Sequence, residues 1–239
     1  MTDLSVRTDI PELMDTAPES AAAMRGALRF LEITNRWFGG SRLVLRHLAG
    51  WAARWPRGGQ PITVLDVGTG TADIPMALVR WARSRGVRLA VTGLDLVKSI
   101  TELARARVKH FPEISIVSGN LFDFAPFGAR YDYVTASLFL HHVEPARTPE
   151  ALGILSGLAR RGLIVSELQR TRASYLAITG ASYALGNRIV RHDAPASVRR
   201  AFLRSELDGL ARQSGLGYLA ARTEPFFRLS LAGEKADAW

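Results

Sequence analysis

Short apolar runs alternate with amphipathic stretches through the middle of the chain. Runs rich in β-branched and aromatic residues predict five strands, at 62–67, 87–96, 115–118, 131–140 and 163–168. Between several of these runs, apolar residues recur every three or four positions, which predicts helices at about 73–83, 99–109 and 148–161. Strands that alternate with helices in this way form a parallel sheet with right-handed crossovers.

The N-terminal 60 residues precede this alternation. Residues 1–20 are polar and contain prolines, so we expect a loosely held arm. Residues 21–55 have a helical pattern that is interrupted at Gly39 and Gly40, and a turn-rich linker follows. We therefore predict an arm and cap helices in front of the core.

The C-terminal part of the chain also departs from the alternation. Residues 172–190 predict a helix, and residues 195–213 predict one or two more. Two further strands are predicted near the end, at 219–222 and 227–231, where they would form a closing hairpin.

Together these elements predict an α/β fold, a doubly wound Rossmann-like sheet of seven strands. Residues 1–60 are the arm and cap helices in this interpretation. Residues 61–239 are the core, with a helical cap insertion at about 170–213. An open sheet of this type binds its ligands at the carboxyl ends of the strands.

Composition excludes several classes of protein. Of the 239 residues, 47% are hydrophobic and 22% are charged, which is typical of an ordinary globular chain. There is no cysteine, so disulfides, thiolate catalysis and cysteine-built zinc sites are excluded. No apolar run approaches the roughly 18 residues of a membrane span, and the N-terminus lacks a signal-peptide pattern. We expect a cytoplasmic protein, as a monomer or a homodimer.

The formal charge of +9 raises the question of nucleic-acid binding. Nearly all of the 31 basic residues are arginines, and they are spread along the whole chain instead of forming one stripe. No RNA-binding signature interleaves them with aromatic residues. We therefore expect no nucleic-acid partner, and we keep an RNA methyltransferase or a basic RNA-binding module as an alternative.

The sharpest local signal is the glycine turn that follows the first predicted strand, Asp66-Val67-Gly68-Thr69-Gly70-Thr71-Ala72-Asp73. A dinucleotide fingerprint requires a third glycine where Asp73 stands. A carboxylate there would repel a pyrophosphate at about 4–6 Å by about 1–4 kcal/mol. A cofactor without phosphate tolerates an N-capping aspartate at this position. The second predicted strand ends near Asp95, which can accept hydrogen bonds from ribose hydroxyls.

The order of motifs from 64 to 168 resembles that of the class I S-adenosylmethionine (SAM)-dependent methyltransferases. It runs through Asp66-x-Gly68-x-Gly70, Asp95, Gly119-Asn120-Leu121-Phe122 and Tyr131-Asp132-Tyr133-Val134 to Leu140-His141-His142. The resemblance implies SAM as the cofactor and S-adenosylhomocysteine (SAH) as its product. The cofactor-binding residues that it implies are Asp66, Gly68, Thr69, Gly70, Asp95, Leu96, Asn120, Leu121, Ala136 and Ser137.

Within that resemblance, Gly68 and Gly70 would face the methionine part of SAM, and Asp95 would hold the ribose. Asn120 and Leu121 would contact the adenine. One departure is Ala72, where many members have a third glycine. We expect an ordinary helical φ at this alanine.

Further segments, at 35–40, 160–162 and 191–202, are similar to a bacterial subgroup that is distantly similar to ubiquinone and menaquinone methyltransferases. Members of that subgroup are often encoded near type III polyketide synthases, which implies phenolic or quinol-like methyl acceptors. The substrate-binding residues that we expect in the predicted cap segments are Arg36, Trp37, Tyr175, Arg191 and His192.

A phenolic acceptor, with a pKa of about 10, benefits from a base that titrates near neutrality, and histidine is the natural one. His141 and His142 follow the fourth predicted strand at its carboxyl end, and we expect His141 to face the pocket. Glu167 ends the fifth strand and could orient His141. Its alternative role is an ion pair with Arg170 or Arg172.

The sequence thus predicts SAM-dependent methyl transfer to a small molecule, most directly O-methylation of a phenolic or polyketide-like hydroxyl with assistance from histidine. C-methylation of a quinol-type ring is the alternative within the same class. A catalytically idle SAM-binding partner of another enzyme is a third hypothesis. No cluster of carboxylates near 131–144 indicates a metal site, and we expect none.

Overall fold

The computed structural model describes residues 3–16, 21–37, 39–55, 59–124 and 130–236. Its seven strands are β1 (Ile62–Val67), β2 (Leu89–Asp95), β3 (Ile114–Ser118), β4 (Tyr131–Ser137), β5 (Ala159–Leu168), β6 (Ala220–Glu224) and β7 (Arg228–Glu234). Its helices are α1 (Leu13–Thr16), α2 (Ala21–Trp37), α3 (Gly40–Trp51), α4 (Asp73–Ser84), α5 (Lys98–Val108), α6 (Leu121–Phe124), α7 (Thr148–Leu158), α8 (Arg172–Leu185), α9 (Arg188–Arg200) and α10 (Arg204–Gln213).

The seven strands form one sheet in the order β3-β2-β1-β4-β5-β7-β6. The five strands β1 to β5 are parallel to one another, and β7 pairs antiparallel with both β5 and β6. The predicted seven-stranded, doubly wound fold is confirmed. The strand order reverses at β1, which has β2 on one side and β4 on the other. Sheets of this type bind ligands at the carboxyl ends of the strands at such a reversal.

Both faces of the sheet are covered, as a parallel sheet requires. Alternate residues of β1 point to opposite faces, so Leu65 and Val67 pack in one cluster and Ile62 and Val64 in the other. The first cluster is completed by α7 and α10, and the second by α3, α4 and α5. This burial fixes the ends of the central strands, from which the site is built.

The N-terminal arm, residues 3–16, is held in place by hydrogen bonds, so the expectation of a loosely held arm is wrong for this stretch. Arg170 Nε donates to the carbonyl of Leu4, and Arg200 Nη1 donates to the carbonyl of Ile10. The backbone N–H groups of Leu13 and Met14 both donate to Asp193. These partners lie more than 160 positions away, which is why the sequence of the arm gave no sign of them.

Two predicted helix boundaries are wrong. The helix expected at 172–190 is two helices, because the side chain of Asn187 accepts the N–H of Val190 and caps the start of α9. The helix expected to stop at Gly162 ends at Leu158, and Gly162 lies inside β5. A Cβ on Gly162 would lie 2.9 Å from the carbonyl of Gly233, so glycine is needed there for strand pairing.

The fourth predicted strand is shorter than expected. It ends at Ser137, and Leu140–His142 forms one turn of 3-10 helix. None of the helices in the described ranges is both long and apolar enough to cross a membrane.

Candidate active site

A cavity of about 550 Å³ lies at the carboxyl edge of the sheet. The segments that follow β1, β2, β3 and β4 form its floor. Helices α2, α8 and α9 and the N-terminal arm form its cap. The cavity therefore occupies the ligand-binding edge that the fold predicts.

The glycine turn after β1 leaves open backbone facing this cavity. Gly68 has a φ of 67° and Gly70 a φ of 54°, both in the left-handed region that glycine adopts most easily. A Cβ on Gly68 would lie 3.0 Å from the ring of Phe139. The N–H groups of Gly68 and Thr69 donate to the carbonyl of Leu94, which ties the turn to β2.

Ala72 does not have the ordinary helical φ expected from the sequence. Its φ is 62° and its ψ is 29°, in the left-handed region, and its side chain is fully buried. That conformation costs an alanine about 1–2 kcal/mol, a cost that a glycine would not have. Ala72 is the N-cap of helix α4, so Asp73 is the first helical residue and not the N-cap that the sequence predicted.

Asp66 lies buried under the glycine turn. Thr135 Oγ1 donates to its Oδ1 at 2.6 Å, and Thr69 Oγ1 donates to its Oδ2 at 2.8 Å. Burial raises the pKa of Asp66 to about 7, although the two threonine hydrogen bonds oppose the shift. Asp66 is therefore beneath the cavity and not on its wall, and its charge changes near neutral pH.

Asp95, at the end of β2, lines the cavity. Its Oδ2 accepts the N–H of Gly70 at 2.9 Å, and its Oδ1 accepts the N–H of Val97 at 3.1 Å. The two bonds hold the carboxylate beside the glycine turn. Since a carboxylate has about four lone-pair positions, Asp95 retains capacity to accept ligand hydroxyl groups.

The segment after β3 brings Asn120 and Leu121 to the cavity wall. Asn120 Oδ1 accepts the N–H of Phe122 at 3.1 Å, which starts the short helix α6 and fixes the side chain. Leu96 lines the cavity and is 67% exposed, so it lies where the cavity meets solvent.

The last two expected cofactor contacts, Ala136 and Ser137, lie at the end of β4, and their side chains point in opposite directions. Ser137 lines the cavity, and its buried Oγ has no hydrogen-bond partner within the described part of the chain. Ala136 packs in the core instead, because alternation along the strand turns its side chain away. The expectation that Ala136 lines the cofactor site is therefore wrong.

These groups fit SAM. The glycine turn offers backbone without Cβ atoms in the way of a ligand, and Asp95 offers acceptors for a diol. Asp73 puts a carboxyl group on the cavity lining next to the turn, and Asp66 puts another beneath the turn, so an ammonium group bound there would be stabilised. The buried hydroxyl of Ser137 also leaves one polar group for a ligand to satisfy.

His141 and Glu167 form a buried pair at the cavity wall. His141 Nδ1 lies 2.7 Å from Glu167 Oε2, and the side chains are 2% and 0% exposed. Glu167 Oε1 accepts the N–H groups of Phe139 and Leu140 at 2.9 and 2.7 Å. Burial acts to raise the pKa of Glu167, but the charge and hydrogen bond of His141 outweigh it, so this pKa lies below its ordinary value.

The alternative ion pairs for Glu167 are not formed. Arg170 pairs with Glu206 instead, with Nη2 2.5 Å from Oε1, and Arg172 is an exposed residue at the start of α8. Arg170 also donates to the carbonyl of Ala201, so its role is to hold α9 and the arm beside the core.

Glu12 of the arm reaches the same site, and sequence reasoning missed it. It is 4% exposed, its Oε1 lies 3.7 Å from His141 Nε2, and its Oε2 lies 4.0 Å from His142 Nε2. Ser197 Oγ donates to Glu12 Oε1 at 2.8 Å. No local pattern near residue 12 indicates this role, because the contact depends on how the arm packs against α9.

Glu12, His141 and His142 carry side-chain types that bind metals, and their ligand atoms lie within 4.8 Å of one another. A tetrahedral ion at about 2.0–2.1 Å from each would hold those atoms about 3.4 Å apart. The observed separations of 3.7 and 4.0 Å are longer. The carboxylate and the two imidazoles therefore converge at one place on the cavity wall, where they can bind a polar group of a ligand.

The expected substrate-binding residues are placed differently. Tyr175, Arg191 and His192 do not line the described cavity. Helix α8 turns small and aliphatic side chains towards it, and α9 turns other residues towards it, namely Val190, Asp193, Ala194 and Ser197. The Arg191 guanidinium lies 5.8 Å from the centre of the Tyr183 ring, and His192 Nδ1 bonds to Asp193 at 2.8 Å. The side chains of Arg36 and Trp37 lie outside the described residues.

The cap contributes mainly apolar side chains to the cavity. They include Met14, Leu28, Phe30, Leu31, Ile178 and Val190. These side chains give the cap side of the cavity a mainly apolar surface near the buried His141.

Comparison with known proteins finds similar sequences and similar folds. Residues 64–162 match the family model of a methyltransferase domain. A demethylmenaquinone methyltransferase from Bacillus licheniformis is 31% identical over 98 residues, which are 41% of this chain and 39% of that protein. The match thus spans about two fifths of the length of that relative.

Solved structures share the fold over a larger part of the chain. An O-methyltransferase family protein from Burkholderia thailandensis has a TM-score of 0.62 and 16% identity, covering 87% of this chain and 59% of that one. The plantazolicin methyltransferase BpumL, solved in complex with SAH, has a TM-score of 0.66 and 12% identity, covering 93% of each chain. The chain therefore shares its fold with these methyltransferase structures, and residues 64–162 match the model of a methyltransferase domain.

Proposed function

We propose that the protein transfers the methyl group of SAM to the hydroxyl of a phenolic or polyketide-like small molecule, with His141 as the base. The observation that carries this proposal is the buried His141–Glu167 pair, 2.7 Å apart, on the wall of a cavity that also contains the glycine turn. An imidazole held by a carboxylate beside a cofactor site is suited to removing a proton from an acceptor.

SAM is supported as the cofactor by the fit of the glycine turn, Asp66 and Asp95, and by the SAH that the similar BpumL structure contains. When bound, SAM supplies a methyl group on a positively charged sulfur. The first task of the chain is alignment, which in favourable cases lowers a barrier by several kcal/mol. The rigid strand ends that carry Gly68, Asp95 and Ser137 serve this purpose.

The second task is proton removal. Glu167 Oε2 lies 2.7 Å from His141 Nδ1, so in the neutral imidazole the carboxylate accepts a hydrogen bond from a proton on Nδ1. Nε2 is then the basic nitrogen, and it faces the side on which Glu12 and the cavity lie. After His141 takes the acceptor's proton, the carboxylates of Glu167 and Glu12 stabilise the imidazolium.

C-methylation of a quinol-type ring is the second candidate, because the sequence relative from Bacillus licheniformis is a demethylmenaquinone methyltransferase. A ring carbon becomes nucleophilic when a neighbouring hydroxyl loses its proton. The same base, His141, would therefore serve both reactions, and only the position of the transferred methyl separates them.

The test uses SAM labelled with carbon-13 in the methyl group, a panel of phenols and hydroquinones with and without alkyl chains, and total RNA. Carbon NMR and mass spectrometry then identify the product. A labelled methoxy signal supports the proposal, and a labelled aryl-methyl signal replaces it with the quinone-type reaction. Label in RNA, with binding that weakens steeply as salt rises, would overturn the small-molecule assignment.

A further inference from the structure

Arg228 is a buried cation on the cavity wall that the proposed reaction leaves without a role. It is the first residue of β7, and its backbone pairs with Leu168 at the carboxyl end of β5. The residue is 2% exposed to solvent, yet it lines the cavity. Sequence reasoning missed it, because one arginine in a basic chain carries no distinguishing pattern.

A chain of hydrogen bonds connects Arg228 to the glycine-turn end of the cavity. Arg228 Nη2 donates to Asn35 Oδ1 at 2.9 Å, and Asn35 Nδ2 donates to Asp73 Oδ2 at 3.1 Å. Asp73 is the first residue of α4, directly after the glycine turn. A Cβ on Gly40 would lie 3.1 Å from Arg228 Nη2, so the start of α3 also restricts the guanidinium.

The charge of Arg228 is retained although the side chain is buried. Burial lowers its pKa to about 10, while the carboxylates of Glu167 and Asp73 act to raise it. Both carboxylates accept hydrogen bonds from other donors: Glu167 from two backbone N–H groups and His141, and Asp73 from Asn35. A planar guanidinium on a cavity wall matches the geometry of a carboxylate group, which it can bind through two parallel hydrogen bonds.

The glycine-turn end of the cavity is complementary to a zwitterion. Asp73 lines this end of the cavity, and Asp66 lies beneath the glycine turn, so both carboxyl groups favour an ammonium group bound there. Arg228 supplies the opposite charge, and the N-terminus of the twelve-residue helix α4 adds positive potential beside it. The methionine part of SAM carries one ammonium group and one carboxylate. On the basis of the proposed cofactor, we propose that Arg228 binds the carboxylate of its methionine part.

The test compares two ligands that differ in that carboxylate alone: SAH and decarboxylated SAH. Both keep the adenosine, the sulfur and the ammonium group. Isothermal titration calorimetry measures their Kd values on the full chain. A charge-assisted pair predicts that the wild-type protein binds SAH about tenfold to a hundredfold more tightly. Equal affinity for the two ligands would overturn the inference without any variant.

The variants assign the preference to one side chain. In Arg228→Met the preference for SAH should fall to about threefold or less, and Arg228→Lys should keep part of it, since lysine retains the charge without the planar fork. The matched control is Arg222→Met on the neighbouring strand β6, an exposed site where the same charge is lost. It should keep the full preference.

The remaining outcomes are also decisive. The inference is wrong, and the proposed function stands, if Arg228→Met weakens the binding of both ligands equally. The same holds if the variant keeps the wild-type preference for SAH, which would mean that the arginine binds an anionic methyl acceptor instead. If the wild-type protein binds neither ligand, the proposed cofactor and the inference both fail. Should Arg228→Met not fold, as judged by circular dichroism, the wild-type protein and Arg228→Lys decide.

Discussion

The two halves of the cavity are held together in different ways. The cofactor half, defined here as residues 66–73 with Asp95 and Asn120, is made of segments that directly follow parallel strands. The bond from Gly70 to Asp95 joins positions only 25 apart, across neighbouring strands. The acceptor half, defined as His141, Glu167 and Glu12, needs the arm, and the bond from Ser197 to Glu12 joins positions 185 apart.

This difference has a functional consequence. The cofactor half depends on the sheet, which stays in place whenever the domain is folded. The acceptor half depends in part on how the arm and α9 pack over the sheet, and Arg200 joins them, donating to the carbonyls of His141 and Ile10. We therefore expect substitutions in one half to change cofactor affinity and substitutions in the other to change turnover.

The largest expected effect is that of His141→Ala. Loss of a general base lowers kcat by about 10²- to 10⁴-fold, while the Kd for SAH stays within about threefold. Because a phenol ionises unaided near its own pKa of about 10, the variant should recover activity as the pH rises towards that value. The control is His110→Ala, at an exposed position after α5. Unchanged turnover in His141→Ala would show that alignment alone suffices or that another group is the base.

The same contrast explains what the sequence could predict. The strand–glycine–helix order at β1 and the acid that ends β2 are local patterns, so Gly68, Gly70 and Asp95 were found with the fold itself. Glu12 and Arg228 were not found, because their roles arise from contacts between distant segments. The spacing of apolar residues likewise did not indicate that the chain would break at Asn187 into two helices, α8 and α9.

The next effect concerns Asp66 and the stability of the cofactor half. Its pKa is about 7 in the folded protein, compared with the ordinary value of 3.8 for an aspartate in an unfolded chain. The raised pKa means that the folded state binds the proton more tightly, so this stability is complete below the unfolded pKa and is lost as the pH rises through 7. The loss between about pH 5 and pH 8 is on the order of 3 kcal/mol.

Asp66→Asn should remove that dependence. Urea unfolding at both pH values measures it: the wild-type free energy of unfolding should fall more between pH 5 and pH 8 than that of the variant. Parallel pH profiles for the two proteins would contradict the raised pKa. The matched substitution Asp208→Asn, in α10 away from the cavity, should follow the wild-type profile.

Asp95→Ala should have the opposite effect to His141→Ala, because it should change the affinity for the cofactor and leave turnover nearly unchanged. It removes the acceptor for the N–H groups of Gly70 and Val97 as well as the expected ribose contact. We expect the Kd for SAH to rise about tenfold to a hundredfold, with kcat at saturating SAM within about threefold of the wild-type value. Glu102→Ala, an exposed acid in α5, is the control. A fall in kcat as large as that of His141→Ala would mean that the two halves are coupled.

The smallest effect is expected at Ala72, where three contributions nearly cancel. Ala72→Gly stabilises the folded state by relieving about 1–2 kcal/mol of left-handed strain. It destabilises the folded state by about 0.8 kcal/mol through the lost burial of the methyl group, and by about 0.5–1 kcal/mol through the greater entropy of the unfolded chain. The net change in the free energy of unfolding should stay within about 1 kcal/mol. Ala82→Gly is the matched control, since Ala82 is equally buried in the interior of α4 but is not among the residues with positive φ.

With no strain to relieve, Ala82→Gly should cost roughly 2 kcal/mol, the sum of lost methyl burial and lost helix propensity. Urea unfolding of both variants gives the comparison directly. Equal destabilisation would mean that Ala72 is unstrained in solution and that the turn differs from the geometry described here. A smaller loss of unfolding free energy in Ala72→Gly than in Ala82→Gly would show that Ala72 is strained in the folded protein. Its left-handed conformation is then imposed by its surroundings, because hydrogen bonds to β2 and to Asp95 hold the backbone of the turn.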